Sequence, residues 1–285
     1  MEIKTLQALY GLKWNPFATD KPLEGLQVLP KCERFCYCIE DLVLDGGYAA
    51  IMGDPGLGKS TVLRLLQDRI AKVPNVTVGE LSRSQCSVSD FYRELADVFG
   101  VFMQVSNRYG GHKALRQKWQ GHIETTLLRP VLLIDEAQRV SDSVFEEIKS
   151  LASDRLDTKM LITIILSGDM RLAERLKGQT LRPIDSRLRH KLVLTPIETG
   201  ELTALLQSCL RQAGAPSLMT PELINTLVDR SLGNFRTLMT LCNDCLIEAV
   251  RTEAHTLDEK LFFDLTGDQF FGSRKSSAKL KRATP

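Results

Sequence analysis

Residues 53–60 read Gly53-Asp54-Pro55-Gly56-Leu57-Gly58-Lys59-Ser60, with glycines, a lysine and a hydroxyl at the spacing G-x-x-x-x-G-K-S. Those residue types at that spacing suit one chemistry, the holding of phosphate. Glycines let successive backbone N–H groups turn inward around phosphate oxygens. A helix opening at Lys59 and Ser60 points the positive end of its dipole at the same anion. Lys59 then reaches the β- and γ-phosphates of a nucleotide, and the Ser60 hydroxyl is a ligand for Mg²⁺. The whole cradle runs from Gly53 to Thr61. An apolar stretch precedes it (Tyr48 to Met52) and a helical pattern follows (Thr61 to Ile70), which is the context such a loop needs.

A second constellation is Val131-Leu132-Leu133-Ile134-Asp135-Glu136, an apolar run ending in two acids. Beside a phosphate loop, Asp135 would hold Mg²⁺ through its water shell, since this ion takes few carboxylates and keeps water and phosphate oxygens. Glu136 is placed to polarise a water that attacks the γ-phosphate.

Elements must position these groups. Short apolar runs at 49–52, 76–81, 131–134, 161–167 and 191–194 read as strands buried on both faces of a parallel sheet. Helical patterns at 61–71, 88–99, 113–128 and 143–154 lie between them, so an α/β layered domain with right-handed crossovers is expected. After Pro196 the patterns at 199–212, 221–231 and 235–253 are all helical, with Thr220-Pro221-Glu222 as a capped helix start. The predicted organisation is a lead-in (1–47), an α/β core (48–197), an all-helical lid (198–267) and a flexible basic tail (268–285). The tail carries Arg274, Lys275, Lys279, Lys281 and Arg282 against Asp268.

Bulk properties exclude some classes. The chain has 285 residues, 43% of them hydrophobic and 25% charged, which is ordinary for a globular protein. A net charge of +2 argues for no particular partner, so nucleic-acid contact would have to come from local patches. Met1 to Gly11 lack the apolar core of a signal peptide, and no run approaches the roughly 20 residues of a membrane span; the expectation is a cytoplasmic protein. The seven cysteines include a lone C-x-x-C at Cys242 and Cys245, and the four histidines fall near no cysteine cluster. They are read as reduced, structural thiols.

From the loop and the acid pair onward the chain resembles the AAA+ ATPases. The resemblance implies the AAA+ P-loop NTPase fold, a five-stranded parallel sheet flanked by helices with a small helical lid. It implies ATP as the nucleotide, with Mg²⁺. In that family's order, Ser167 at the end of the fourth strand matches the polar sensor of the γ-phosphate, with Asp169 as a nearby alternative. Asp185-Ser186-Arg187-Leu188-Arg189 resembles the arginine-finger box, whose arginine enters a neighbouring subunit's site; Arg187 is the candidate and Arg189 the alternative. Gly233-Asn234-Phe235-Arg236 resembles sensor 2, in which Arg236 would reach the γ-phosphate from the lid.

Tyr10-Gly11-Leu12-Lys13-Trp14-Asn15-Pro16-Phe17 resembles the "GL-x-x-NPF" opening of the ExeA-like ATPases, and Gly233 to Leu238 with Leu241-Cys242-Asn243 matches the same group's "G-x-x-R-x-(I/L)-x-x-L-C". The group includes secretion ATPases, which continue into a membrane span and a cell-wall-binding domain, and the transposition helpers TniB, TnsC and the more distant MuB and IstB. The helpers assemble on DNA as ATP-bound oligomers, mark a target and recruit a transposase. The resemblance thus implies a homo-oligomeric ring or filament on duplex DNA, with a transposase and a target-selector protein as partners. A secretion-type ATPase and a replication-initiator or helicase-loader role stay open. Candidates for phosphate contacts with DNA are Arg83, beside Ser82 and Ser84, and Arg108, Lys113, Arg116 and Lys118 around the start of the next long helix, where Tyr109-Gly110-Gly111 supplies a mobile turn. The backbone of Val28 to Pro30 is a candidate flank for the adenine.

Overall fold

The computed structural model describes residues 3–101, 108–125, 129–154 and 159–267. It divides into two compact units, one spanning Val28–Thr195 and one formed by the chain up to Gln27 together with the chain from Pro196.

The first unit opens with helix α2 (Pro30–Asp45), which starts on a proline whose fixed φ suits the first turn. The α/β alternation then runs β1 (Gly47–Gly53), α3 (Lys59–Ala71), β2 (Val76–Leu81), α4 (Val88–Phe99), α5 (Arg108–Thr125), β3 (Arg129–Ile134), α6 (Asp142–Ala152), β4 (Thr163–Gly168), α7 (Met170–Lys177), α8 (Arg182–Asp185) and β5 (Leu188–Leu194). The five strands form one sheet in the order β2-β3-β4-β1-β5, every neighbouring pair parallel. This is the α/β layering that the alternation predicts, with the five-stranded parallel sheet that the resemblance implies. All seven residues of β1 are buried, which explains why its sequence is a continuous apolar run rather than an alternating one. One helix lies so close to the sheet that a side chain is forbidden beneath it: a Cβ on Gly79 of β2 would stand 2.1 Å from Val98 Cγ1 of α4.

Several boundaries differ from the sequence reading, each for a local reason. Strand β4 begins at Thr163 because the Leu161 N–H is still closing onto the Ala152 carbonyl at 2.7 Å. Strand β5 begins at Leu188, so the Arg187 box straddles its start. Tyr109-Gly110-Gly111 is helical, within α5, rather than a turn; Gly111 is buried, and the roughly 1 kcal/mol a glycine costs a helix is tolerated where packing supports the turn. Helices α7 and α8 fill a stretch to which the sequence reading assigns no element; α7 is short and turns Leu172 and Leu176, four residues apart, into the core.

The second unit is helical: α1 (Ile3–Tyr10), α9 (Thr199–Ala213), α10 (Pro221–Ser231) and α11 (Phe235–Arg251). The Thr220 hydroxyl caps α10 by accepting from Leu223 N at 3.3 Å, and Asn234 Oδ1 caps α11 by accepting from Thr237 N at 3.1 Å. The stretch read as a single lead-in is shared between the two units, and its first part is fastened to these helices. Tyr10 Oη donates to Ala254 O at 2.8 Å and Lys13 N to Ala213 O at 2.9 Å. Asn15 Oδ1 accepts from Phe17 N at 2.9 Å while its Nδ2 donates to Asn243 Oδ1 of α11 at 2.9 Å. The buried Lys21 ammonium donates to Pro16 O at 3.1 Å and lies 5.7 Å from the Phe235 ring centroid. The Asn-Pro-Phe motif is thus a clasp between the amino-terminal segment and α11. The predicted tail (268–285) lies outside the described residues.

Candidate nucleotide site

In the parallel sheet every strand delivers its carboxyl end to the same edge, and Lys59, Asp135, Glu136 and Ser167 collect there. Strand β1 ends at Gly53, where a Cβ would meet the Leu194 carbonyl oxygen of β5 at 2.7 Å, so only glycine lets the strands close. The loop then turns through Gly56 (φ 89°) and Gly58 (φ 97°), left-handed conformations that glycine enters without strain. A Cβ on Gly58 would meet nothing within 4 Å, so conformation rather than space requires glycine there. Helix α3 opens with Val62 N donating to Gly58 O at 3.0 Å, and its first turn holds no acid to repel an anion. Lys59 is buried, its ammonium donating to Gly53 O at 2.7 Å and Asp54 O at 3.1 Å, so the cation is held over the loop by the loop's own carbonyls. Ser60 is exposed and Thr61 half-buried at the head of the helix.

The acid pair follows β3. Ile134 is paired with Leu166 of β4, and one residue further the Ser167 hydroxyl donates to Asp135 Oδ1 at 2.7 Å. The same oxygen accepts from Glu136 N at 2.9 Å. Ser167 is fully buried and paired in register with Ile51 of β1. Glu136 occupies a left-handed conformation (φ 52°, ψ 37°), uncommon for a residue with a side chain and of the kind that clusters at functional sites.

Two residues that the sequence reading did not single out join this edge. Gln138 donates from Nε2 to Glu136 Oε2 at 2.9 Å and accepts the Asp169 N–H on Oε1 at 3.3 Å. Its position two residues beyond the acid pair was the one signal available. Arg171 forks onto Asp169, with Nε 2.9 Å and Nη2 2.5 Å from Oδ2. The Arg171 hydrogen bonds hold the Asp169 carboxyl below its usual range, and the Lys59 charge adds to this. Asp169 in turn holds the Arg171 guanidinium further toward its charged form, with a smaller share from Glu136. The Asp169 carboxylate thus lies in the field of Lys59, and its partner Arg171 in the field of Glu136.

Most other predicted residues fall elsewhere. Parallel pairing sets Tyr48 of β1 against Leu188 of β5 and Gly53 against Leu194. Arg187, half-buried just before β5, thus stands at the amino edge of the sheet, roughly 20 Å along the strand from its own phosphate loop at about 3.3 Å per residue. That is beyond the reach of one arginine side chain. Arg189 is exposed and pairs with Asp45 at 3.6 Å. Arg236, second in α11, belongs to the helical unit and is exposed. Arg83 is exposed on the loop leaving β2, at the same sheet edge as the phosphate loop, and Lys113 is exposed on α5. The Lys118 ammonium donates to Phe99 O and Gly100 O, both at 2.7 Å, capping the carboxyl end of α4. Arg116 likewise donates to Ser150 O at 2.7 Å. Arg108 is the first residue of α5. All seven cysteines are free thiols.

Residues 44–176 match the AAA domain family. The matched stretch includes the phosphate loop, the acid pair, Gln138 and Ser167. General secretion pathway protein A of Aeromonas hydrophila is 27% identical over 254 residues, 87% of this chain; the chain spans 45% of that protein's length. Among solved structures, the ORC2 protein of Aeropyrum pernix, in ADPNP–ADP complexes, superposes with a TM-score of 0.70 at 15% identity, covering 91% of this chain and 72% of that one. The ORC1 protein of the same organism, in complex with DNA, gives 0.65 at 16% identity, covering 95% and 72%. These likenesses establish the AAA+ P-loop NTPase fold. Among the described residues no helix is long and apolar enough to cross a membrane.

Proposed function

We propose that this protein binds and hydrolyses ATP, and that the bound triphosphate governs its assembly with copies of itself on duplex DNA as a transposition helper. The observation that carries the ATPase reading is the Asp135–Ser167–Glu136 set, fixed by hydrogen bonds at the strand ends that adjoin the Gly53–Ser60 loop.

The residues fit the nucleotide and its ion. The two left-handed glycines and the acid-free start of α3 suit an anion, and one lysine amine stands at the loop. Ser60 and Asp135 would hold Mg²⁺, whose preference for one or two protein oxygens plus phosphate and water matches this donor set. The ion, when bound, offsets negative charge on the phosphates. Glu136 takes a proton from water as the water oxygen bonds to the γ-phosphorus; the bond from that phosphorus to the β–γ bridging oxygen breaks, leaving ADP and phosphate. Lys59 exchanges its backbone carbonyls for phosphate oxygens as ATP enters.

Arg187 stands too far from its own loop and acts in a neighbour's site, where an arginine can be worth about 10³-fold or more in rate. ATP then joins subunits and hydrolysis loosens them. Arg236 would report the γ-phosphate to the helical unit. Arg83 and Lys113 are the exposed cations on which a DNA backbone would rest, and the basic tail suits contact with a transposase or a target-selector protein.

A secretion-type role is the second reading, favoured by the 27% identity to general secretion pathway protein A. The deciding experiment is electron microscopy of the full chain carrying Glu136→Gln, with ATP and Mg²⁺, with and without duplex DNA. Rings or filaments that need both ATP and duplex support the helper. ATP-dependent particles indifferent to duplex support the secretion-type reading. A monomer indifferent to ATP overturns both.

A further inference from the structure

Gln138 is a neutral amide buried to 8% exposure, and both ends of its side chain face the reaction machinery rather than the core. Nε2 donates to Glu136 Oε2 and Oε1 accepts the N–H of Asp169, the residue that follows β4. Glu136 is therefore tied, through one side chain, to the end of the strand that carries Ser167. The peptide bearing Gln138 is itself fixed. Arg175 of α7 donates to Gln138 O and Val140 O, both at 2.7 Å, and its guanidinium lies 5.3 Å from the Phe145 ring centroid.

Gly168 makes room for this arrangement. A Cβ there would stand 2.6 Å from Gln138 Oε1, as well as 2.9 Å from Leu172 Cδ2, so the amide reaches the Asp169 N–H only because Gly168 has no side chain. On the other side, Arg139 Nε lies 3.5 Å from the same Oε2 that Gln138 holds. Both partners converge on Oε2 and neither uses Oε1. A carboxylate held by one oxygen can present the other to a water in a fixed direction, the arrangement by which a third group orients a general base. Glu136 is 47% exposed at its side chain, and on such a residue rotamer freedom would otherwise scatter that direction.

We propose that Gln138 is a positioning residue for hydrolysis, setting the Glu136 carboxylate against the end of β4, with Gly168 as the gap that admits it. The proposal rests on Glu136 being the base.

The test is steady-state ATPase kinetics on the full chain with Mg²⁺ and duplex DNA, alongside nucleotide Kd and thermal midpoint, for wild type, E136Q, Q138A, G168A and the double variant Q138A/G168A. A hydrogen bond to a charged group has a net value that converts to about 10- to 100-fold in rate, so Q138A should lower kcat by that factor with Kd within about twofold. G168A should lower kcat similarly, by displacing Gln138. The double variant should be no slower than Q138A, because the methyl added at position 168 then has no amide to displace, yet it should keep the thermal loss that crowding of Leu172 causes. A Q138A protein with wild-type kcat overturns the proposal while leaving the base assignment intact, provided E136Q is inactive. Equal losses of kcat and nucleotide affinity, or rate effects of Q138A and G168A that simply multiply, overturn it in favour of a structural role. Turnover that survives E136Q overturns the base assignment and this proposal together.

Discussion

Ser167 Oγ donates to Asp135 Oδ1 across 2.7 Å, joining the ends of two neighbouring strands in the same sheet. The hydroxyl is fully buried, so the bond is undiluted by water and fixes which way the carboxylate faces. A carboxylate that holds an ion depends on such an outer partner. Ser167→Ala leaves Asp135 with the Glu136 N–H alone and should raise the Mg²⁺ concentration for half-maximal ATPase activity by about 10-fold, at the low end of the usual cost of such losses. A Mg²⁺ titration of turnover checks this. An unchanged midpoint would mean that Asp135 is aligned without Ser167.

The position of Arg187 at the amino edge of the sheet has a consequence that mixing can test. Arg187→Ala and Glu136→Gln should each lose turnover alone, the arginine variant by about 10³-fold if it serves as a finger. Mixed in equal amounts, they should regain activity. A subunit carrying R187A retains its own loop and Glu136, and a neighbour carrying E136Q retains Arg187. Failure to regain activity in an assembly shown to contain both variants would remove Arg187 from the neighbouring site.

The phosphate loop and acid pair were legible in sequence because each residue type there has a backbone or charge task that few others can perform. The three central strands were legible because burial on both faces leaves an apolar run, whereas the edge strands β2 and β5 are only partly buried and carry polar residues among the apolar ones. Gln138 was not, since its importance depends on a close approach between the loop after β3 and the end of β4 that only Gly168 permits. Lys118 read as an exposed cation, yet its charge caps α4, a helix end made neighbour by tertiary packing. The remote placement of Arg187 came from strand register, which no local pattern encodes. The Asn-Pro-Phe motif could be matched to relatives but not explained, because Asn243, the partner of Asn15, lies 228 residues away.

That clasp carries its own prediction. Asn15 uses its oxygen on Phe17 N and its nitrogen on Asn243. Asn15→Ala leaves a part-buried amide and a backbone N–H to find water, at about 1–3 kcal/mol of stability. Asn243→Ala should cost less, since it removes one bond of the two. The pair should be non-additive in urea unfolding, because the first substitution already breaks the shared bond. Full additivity would mean that the two side chains act separately.

The thiols give a pH prediction whose sign is fixed. Burial pushes the Cys36 and Cys245 thiols up to about 12, from an ordinary 9.0, and raises Cys242 well above it. The folded chain therefore holds these protons more tightly than the unfolded chain. The stability involved is fully present below about pH 9 and is lost as pH rises from there toward about 12, where the unfolded chain ionises first. Two measurements follow. Denaturant midpoints should fall steadily above about pH 9. In native protein at pH 8, iodoacetamide should label the half-buried Cys38 before Cys36, Cys242 and Cys245, because the thiolate is the nucleophile. Early labelling of Cys242, mapped by mass spectrometry under conditions where the protein remains folded, would show that α11 opens far more readily than its packing implies.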